Sequence, residues 1–178
     1  TRLQGDLSSD VCSSDLGFAQ FGLDWKAKSS YTDSDGDGVV DPGEAVVDTV
    51  VKDYTDAGVT INNYYGEMSL IPNIVDKENF GLTWGLYFDY TLNGTVLSAS
   101  GSSIIASYTS GTIDIYYDDY VGQAAGDAGR DISVDNRVMR INVTGSGGDV
   151  ANFLLFGEVA EVDANYFFFA DRSEEHTS

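Results

Sequence analysis

The stretch TWGLYFDYTLNGTVLSAS, residues 83–100, decides the fold of this 178-residue chain. Large apolar or aromatic side chains occupy every second position from Trp84 to Leu92, which is the period of a β-strand with one buried face. The dipeptide Asn93-Gly94 follows, and it is the strongest short-range signal for a two-residue hairpin. We therefore expect a hairpin that turns at Asn93-Gly94, with GTVLSAS as its return strand.

The rest of the chain repeats the same alternation in shorter pieces. Further candidate strands are FGLDWKAKSSY from residue 21, SIIASYT from 103, GTIDIYY from 111, VMRINVT from 138, NFLLFGEVAEV from 152 and NYFFFA from 165. Turn-forming clusters at Ser110-Gly111, at 122–129 and in GSGG at 145–148 separate them. About eight short strands with turns between them are typical of a sandwich or barrel. The sequence thus predicts an all-β fold, an antiparallel, jelly-roll-like β-sandwich.

The two ends of the chain are related at the DNA level. DVCSSDL, residues 10–16, can be encoded by GAC GTG TGC TCT TCC GAT CT, and the reverse complement of that string encodes RSEEHTS, residues 172–178. The string resembles the adapter ligated to DNA fragments for short-read sequencing, and LSSDVCSSDL resembles its translation. We therefore expect residues 1–16 and 172–178 to be translated adapter without structure. Residues 17–171 are then one truncated β-sandwich domain.

Composition excludes several classes of function. Cys12 and His176 are the only cysteine and histidine of the chain, and both lie in the adapter-like ends. Residues 17–171 therefore offer no Cys–His or Ser–His–Asp catalysis and no zinc site built on imidazole or thiolate. The formal net charge of −20 at pH 7 argues against a nucleic-acid surface and against an anionic membrane surface. Acidity with abundant Gly, Ser, Thr and Tyr favours an exported bacterial protein.

One motif points to a specific ligand. DSDGDGVVDPGE, from Asp33 to Glu44, fits the twelve-residue calcium-loop pattern at each constrained position. Carboxylates stand at positions 1, 3, 5, 9 and 12, a glycine at position 6 permits a sharp turn, and position 7 offers its backbone carbonyl. Calcium takes six to eight hard oxygen ligands, which such a loop can supply. The predicted ligands are Asp33, Asp35, Asp37, Val39, Asp41 and Glu44.

The segment after the loop, AVVDTVVKDYT, leaves two structures open. Val47, Val50, Val51 and Tyr54 have helical spacing, whereas Val, Thr and Tyr prefer pleated surfaces. We favour a strand, so that the ion fastens two strands and does not open a pair of helices. For an extracellular module the expected dissociation constant is on the order of 0.1–1 mM.

Weaker signals lie further along the chain. The acidic residues Asp118, Asp119, Asp127, Asp131 and Asp135 can form a second cation site, although a solvated acidic loop fits their irregular spacing better. The tyrosines Tyr116, Tyr117 and Tyr120 can stack on sugar rings, although packing explains most strand tyrosines. Glycoside hydrolysis needs two facing carboxylates, and the pattern singles out no such pair, so we assign no catalytic residue.

Several phrases carry a family resemblance. FGLDWKAKSSYTDSDGDG, YTSGTIDIYYDD, INVTGSGGD and ANYFFFAD resemble exported bacterial proteins with a PEP-CTERM sorting tail, some of which are associated with exopolysaccharide and flocculation. The resemblance implies a secreted or surface-anchored β-rich protein with no known enzymatic role. The combined prediction is a non-catalytic extracellular or cell-surface protein with a structural Ca²⁺ loop and polysaccharide, cell-surface or matrix partners. A calcium-dependent carbohydrate-binding module is the alternative, followed by a polysaccharide-active enzyme with paired carboxylates.

Overall fold

The computed structural model describes residues 21–61, 65–70, 80, 83–101, 103–119, 137–148 and 153–166. These residues form ten strands and contain no helix, which confirms the predicted all-β, sandwich-like fold. The predicted adapter segments, 1–16 and 172–178, lie outside the described residues. The strands are β1 (Phe21–Asp24), β2 (Ala27–Tyr31), β3 (Ala45–Val50), β4 (Tyr54–Asp56), β5 (Val59–Ile61), β6 (Gly66–Leu70), β7 (Gly85–Ser100), β8 (Ser103–Asp118), β9 (Arg137–Gly148) and β10 (Phe153–Val162).

Eight of the described strands belong to one antiparallel sheet, whose main order is β1-β6-β7-β8-β9-β10. Strands β6 to β10 are neighbours in both sequence and space. One edge of β7 is shared: Leu86 to Phe88 pair with β6, and Thr91 to Thr95 pair with β3. Strand β2 pairs in turn with β3. The sheet therefore branches along β7, and β4 with β5 forms a separate two-stranded sheet.

The long β7–β8 ribbon corrects the predicted hairpin. Strand β7 runs through Asn93-Gly94 without turning, and the chain reverses at Gly101, whose φ is +59°. A register shift marks a bulge between Asn93 and Gly94. Gly94 does not have the positive φ that a tight hairpin turn needs. Glycine is required here for a different reason: a Cβ at this position would overlap the carbonyl oxygen of Ser107 on the neighbouring strand.

Two further predicted turns are also wrong. Ser110-Gly111 lies inside β8, which joins SIIASYT and GTIDIYY into one strand, and Gly111 is paired with Leu92. The GSGG segment forms the last four residues of β9 and pairs with β10. In both places glycine permits close backbone approach or a bulge within a strand, which the same residue signals as readily as a turn. The predicted turn at 122–129 lies outside the described residues.

The core covers both faces of β7 at its centre. Phe88 and Tyr87 are neighbours that point to opposite faces, and each is only 5% exposed. On the face of Phe88 the buried side chains are Val46, Val50, Leu92, Ile115 and Val143. On the face of Tyr87 the ring of Tyr116 is buried beside it, and Tyr65 packs edge-on against Tyr116 at 5.3 Å. Each such side chain contributes roughly 1.5–3 kcal/mol of burial free energy.

A polar cluster interrupts the apolar face of Phe88. The Asp48 carboxylate, in register with Leu92, accepts hydrogen bonds from Ser29 Oγ at 2.9 Å and from Tyr90 Oη at 3.4 Å. Trp25 Nε1 donates to the same Tyr90 hydroxyl at 3.2 Å. Burial and then the Asp48 charge raise the pKa of Tyr90 to about 12. This cluster links β1–β2, β3 and β7 by side-chain hydrogen bonds.

On the opposite face, charged side chains cross the strands. Lys52 Nζ lies 2.6 Å from the Asp89 carboxylate and 4.7 Å from the centre of the Tyr65 ring. Arg140 on β9 donates two hydrogen bonds of 2.7 Å to Asp114 on β8. Because the two residues are directly paired, the planar guanidinium meets the carboxylate in a bidentate geometry.

Candidate metal centre

The predicted calcium loop connects two strands. It occupies the chain between β2, which ends at Tyr31, and β3, which begins at Ala45. The backbone N–H of Thr32 donates to the Ala45 carbonyl at 3.0 Å and closes the neck of the loop. The segment after the loop is therefore a strand, as favoured from its β-branched residues, and the motif is strand–loop–strand.

Three of the predicted ligands converge. One carboxylate oxygen each from Asp33, Asp35 and Asp37 lies within 4.8 Å of the others, and all three side chains are exposed. Alternate residues can meet in this way because the chain wraps around them, with Gly36 at φ +78° and Gly38 at φ +80°. Among the described residues this is the only group of three or more acidic, histidine or cysteine side chains so arranged. Such a group could hold a metal ion.

Backbone N–H groups orient these carboxylates. Asp33 accepts from Gly36 at 2.6 Å and, through its other oxygen, from Gly38 at 2.9 Å. Asp35 accepts from the amide of Asp37 at 3.2 Å, and Asp37 accepts from the amide of Val39 at 2.7 Å. A carboxylate that accepts backbone hydrogen bonds is stabilised in its charged form. The amides of Gly38 and Gly36 accordingly lower the pKa of Asp33.

Glu44 differs from the three aspartates in its surroundings. It is 4% exposed and lies outside the group of three. Its Oε1 accepts from the amide of Ser34 at 2.7 Å and from the hydroxyl of Ser34 at 3.3 Å, and its Oε2 accepts from the amide of Asp41 at 3.1 Å. The amides of Ser34 and Asp41 lower the pKa of Glu44. This carboxylate therefore bridges the two halves of the loop.

The raised pKa of Asp41 reflects loss of hydration and electrostatic repulsion between the carboxylates of the loop. Loss of hydration raises its pKa first, and the charges of Asp37, Asp35, Glu44 and Asp33 raise it further. All five predicted carboxylates are thus close enough to interact electrostatically. A divalent cation among them would relieve that repulsion. Val39, the sixth predicted ligand, has a side chain that is 56% exposed and contributes only backbone groups to the loop.

The end of the loop is tied to the central ribbon. The amide of Gly43 donates to the Val96 carbonyl at 2.8 Å, and the amide of Val96 donates to the Glu44 carbonyl at 2.9 Å. Val96 is 1% exposed and Glu44 is 4% exposed, so the hydrogen bond between these two residues is shielded from solvent. Sequence reasoning did not identify Ser34 or Val96, because neither residue carries a local signal for this role.

A second feature lies at the opposite end of the ribbon. The ring of Trp84 packs against Phe80 at 4.8 Å and stacks on Tyr117 at 5.6 Å, and Tyr117 packs against Tyr166 at 4.8 Å. We call Phe80, Trp84, Tyr117 and Tyr166 the aromatic stack. Phe80 is buried, whereas Tyr166 is 46% exposed. Burial and the nearby Asp119 carboxylate raise the pKa of Tyr117.

The other sequence-predicted residues differ in burial, and some lie outside the described residues. Tyr116 is buried against Tyr87 and is unavailable to a sugar ring, while Tyr120 lies outside the described residues. Asp118 is buried and Asp119 exposed at the end of β8. Asp127, Asp131 and Asp135 lie outside the described residues, so the second cation site stays a prediction.

Comparison of the chain with protein-family models, with curated proteins and with solved structures gives no match. Within the part of the chain that the structure describes, no helix is long and apolar enough to cross a membrane. The function has to be inferred from the residues of this chain alone.

Proposed function

We propose that this protein is a non-catalytic, exported surface or matrix domain in which loop 33–44 binds a structural Ca²⁺ ion. The supporting observations are the convergence of Asp33, Asp35 and Asp37 within 4.8 Å and a buried Glu44 that is hydrogen-bonded to both halves of the same loop. Exposed carboxylates at this density repel one another, and a bound dication offsets that cost.

The donor set favours calcium over other metals. The side chains are carboxylates, and the loop also offers backbone carbonyls, which are the hard oxygen ligands that Ca²⁺ prefers. Magnesium demands near-ideal octahedral geometry and dehydrates reluctantly, so a loop with five carboxylates suits it less. Zinc, copper and iron are bound more often by His or Cys, which residues 17–171 do not contain.

The ion would act on stability through the strands that the loop joins. Glu44 is the last predicted ligand and also forms the β-ladder contact with Val96. A metal that draws Glu44 toward Asp33 therefore reinforces the pairing of β3 with β7. If the dissociation constant is about 0.1 mM, calcium at a hundredfold excess stabilises the folded state by about 2.7 kcal/mol. For a domain of this size that is roughly 5–11 °C in Tm.

Thermal melts of the full chain in excess chelator and in about 10 mM calcium test the proposal. We expect a rise of that size in calcium and little change in magnesium. Asp35→Ala should abolish the calcium effect, whereas the charge-matched Asp24→Ala on β1 should keep it. Equal calcium shifts in wild type and Asp35→Ala would show that the loop is not the binding site.

The alternative function, carbohydrate binding, has one observation in its favour. The aromatic stack ends in the partly exposed Tyr166, and the exposed Asp119 lies near Tyr117 of the same stack, so that a ring face and a carboxylate are available to a saccharide. Val96 lies twelve positions after Trp84 along the extended chain, which corresponds to roughly 40 Å. A sugar on the stack would therefore not coordinate the loop metal directly.

Affinity electrophoresis in gels that contain bacterial exopolysaccharide separates the two functions. A carbohydrate-binding module predicts retardation that Tyr166→Ala removes and that Phe153→Ala, an exposed aromatic elsewhere, leaves unchanged. Chelator should not alter the retardation if the two ends of the ribbon act independently. Migration equal to that of an inert gel would remove the alternative and leave the structural calcium domain.

A further inference from the structure

Two tyrosines of the aromatic stack lie close enough to react with each other. The ring centroids of Tyr117, on β8, and Tyr166, after β10, are 4.8 Å apart, and the ring planes are tilted by 46°. Packed aromatic rings ordinarily have centroids about 4.5–7 Å apart, so this pair is near the short end of that range. Two phenol rings joined by a carbon–carbon bond are also close together and twisted out of one plane. The pair is therefore already near the geometry of a coupled product.

The hydroxyl ends of the two rings are neighbours. Burial, and then the charges of Asp119 and Tyr166, raise the pKa of Tyr117, so the two phenolic oxygens are near enough to interact. Oxidised tyrosines couple through the ring carbons next to the hydroxyl. Because the hydroxyl groups are near each other, these carbons lie on the parts of the rings that approach most closely.

The surrounding structure holds both rings in this position. Trp84 stacks on Tyr117 at 5.6 Å with an interplanar angle of 26°. The segment that carries Tyr166 is fixed by its backbone: the amide of Asp163 donates to the Val138 carbonyl on β9 at 2.9 Å, and the amide of Tyr166 donates to the Asp163 carbonyl at 3.1 Å. The two rings therefore meet in the folded chain without any further movement of a loop.

Access to an oxidant distinguishes this pair from a second pair of tyrosines. The rings of Tyr65 and Tyr116 are 5.3 Å apart and meet edge to face at 65°. Tyr116 is only 5% exposed, whereas Tyr166 is 46% exposed and Tyr117 is partly exposed. Residues 17–171 contain no cysteine, so a covalent link between distant strands of this domain has to use another side chain.

We propose that Tyr117 and Tyr166 form an oxidative crosslinking site, at which hydrogen peroxide and a peroxidase join the two rings by a carbon–carbon bond. Each phenol loses one electron and one proton, and together these reduce one peroxide molecule to two molecules of water. The two radicals pair at the carbons next to the hydroxyl groups. Each of these carbons then passes its hydrogen, as a proton, to the oxygen of its own ring, which restores both phenols.

The crosslink ties the segment after β10 to β8 across β9 and closes a covalent loop over residues 117–166. A crosslink restricts the unfolded chain more than the folded one, and the effect grows with the length of the closed loop. We expect the Tm of the crosslinked domain to rise by roughly 5–15 °C.

Treatment of the full chain with hydrogen peroxide and a haem peroxidase, at low protein concentration, tests this proposal. The monomer should lose the mass of two hydrogens and gain the fluorescence of dityrosine. Trypsin cuts after Arg130 and Arg140, which places Tyr117 and Tyr166 on different peptides, and Tyr166 is the only tyrosine of residues 141–172. The two peptides should be recovered as one joined species, and fragmentation should locate the bond at Tyr117.

Tyr117→Phe and, separately, Tyr166→Phe each remove one hydroxyl and keep the ring, so each should abolish the joined species without loss of the fold, as circular dichroism checks. The matched control is Tyr116→Phe, the adjacent residue of β8, which should crosslink as wild type does. The rise in Tm after treatment should be absent from Tyr166→Phe.

A wild-type monomer that keeps its mass after treatment would overturn the proposal. So would coupling that occurs only between chains, or a joined species that forms in Tyr166→Phe at the yield of wild type. The readout is a covalent bond that forms in chelator as in calcium, so failure of this proposal is distinguishable from failure of the calcium site.

Discussion

The two ends of the β7–β8 ribbon are built in opposite ways. Near the turn at Gly101, the ribbon holds loop 33–44 through Val96, and a cleft of about 350 Å³ lies between the loop and the turn. At the open end the ribbon carries the aromatic stack. The acidic end consists of residues contiguous in sequence and oriented by their own backbone. The aromatic end brings together rings from three separate parts of the chain, namely Phe80 with Trp84, Tyr117, and Tyr166.

This difference predicts how each end responds to the loss of a side chain. At the acidic end, the exposed aspartates are held by local amides through short-range hydrogen bonds, so we expect the loss of one of them to alter the proposed ion binding more than it alters the fold. At the aromatic end, each ring exists in its place only because the sheet has formed, so a lost ring alters the stability of the fold. The predictions below separate these two behaviours.

Gly94→Ala should have the largest effect on stability, because the substitution disrupts the β7–β8 ribbon that connects the two ends. A Cβ at this position meets backbone of β8, namely the carbonyl of Ser107 and the Cα of Tyr108, and neither can move without breaking the strand pairing. Overpacking against backbone costs about 3 kcal/mol or more, which is roughly 6–12 °C in Tm. The Tm should fall by the same amount in chelator and in calcium.

The matched control for Gly94 is Gly101→Asn in the turn. Gly101 has φ +59°, which asparagine tolerates, and a Cβ there meets no atom within 4 Å. The cost should stay below about 1 kcal/mol. A Gly94→Ala protein as stable as Gly101→Asn would mean that β7 does not run straight through this bulge.

Trp84→Ala should reverse the pattern expected for Asp35→Ala. The indole is partly buried between Phe80 and Tyr117, so its loss should cost roughly 2 kcal/mol, about 4–8 °C, in chelator and calcium alike. The calcium-dependent rise in Tm should be unchanged in this variant. In Asp35→Ala the melt in chelator should stay near wild type while the calcium rise disappears. If Trp84→Ala also abolishes the calcium rise, the two ends are coupled through the ribbon.

The smallest expected effect is the pH dependence of stability that arises from Tyr90, in the middle of the ribbon. The pKa of Tyr90 is raised to about 12 in the folded protein, whereas an unfolded tyrosine titrates near 10. Between these values the unfolded state has lost its proton and the folded state has kept it, so stability falls as pH rises through this window. Below pH 10 this contribution is fully present.

Titration of tyrosinate absorbance, paired with melts from pH 9 to 12, measures this effect. Tyr90→Phe should flatten the decline only in part, because the pKa values of Tyr108, Tyr116 and Tyr117 are raised as well. A decline of the same slope in wild type and Tyr90→Phe would mean that the Asp48 cluster does not protect the Tyr90 hydroxyl.

Much of the architecture followed from short-range patterns. The alternation from Trp84 to Leu92 predicted a strand, and β-branched residues after the loop favoured β3 over a helix; both agree with the structure. The acidic loop 33–44 was recognisable because its candidate ligands lie within twelve consecutive residues. Properties that depend on near neighbours in the chain can be deduced from the order of residues alone.

The turns show where such deduction fails. Asn93-Gly94, Ser110-Gly111 and GSGG all resemble turn signals, yet all three lie inside strands. Glycine satisfies two different requirements, a positive φ in a turn and the absence of a Cβ where another backbone approaches closely. Which requirement applies depends on the neighbouring strand, and that strand is distant in sequence.

The sequence by itself determined the all-β class, the position of the acidic loop and the residues that could hold an ion there. Only the tertiary structure decided that Glu44 is buried against Ser34 and joined to Val96, that Tyr116 is core while Tyr166 is exposed, and that β10 stands at the end of the strand order. The physical reason is the distance along the chain over which each interaction acts. Backbone period and loop chemistry act over a few residues, whereas burial, strand order and edges are properties of the whole sheet.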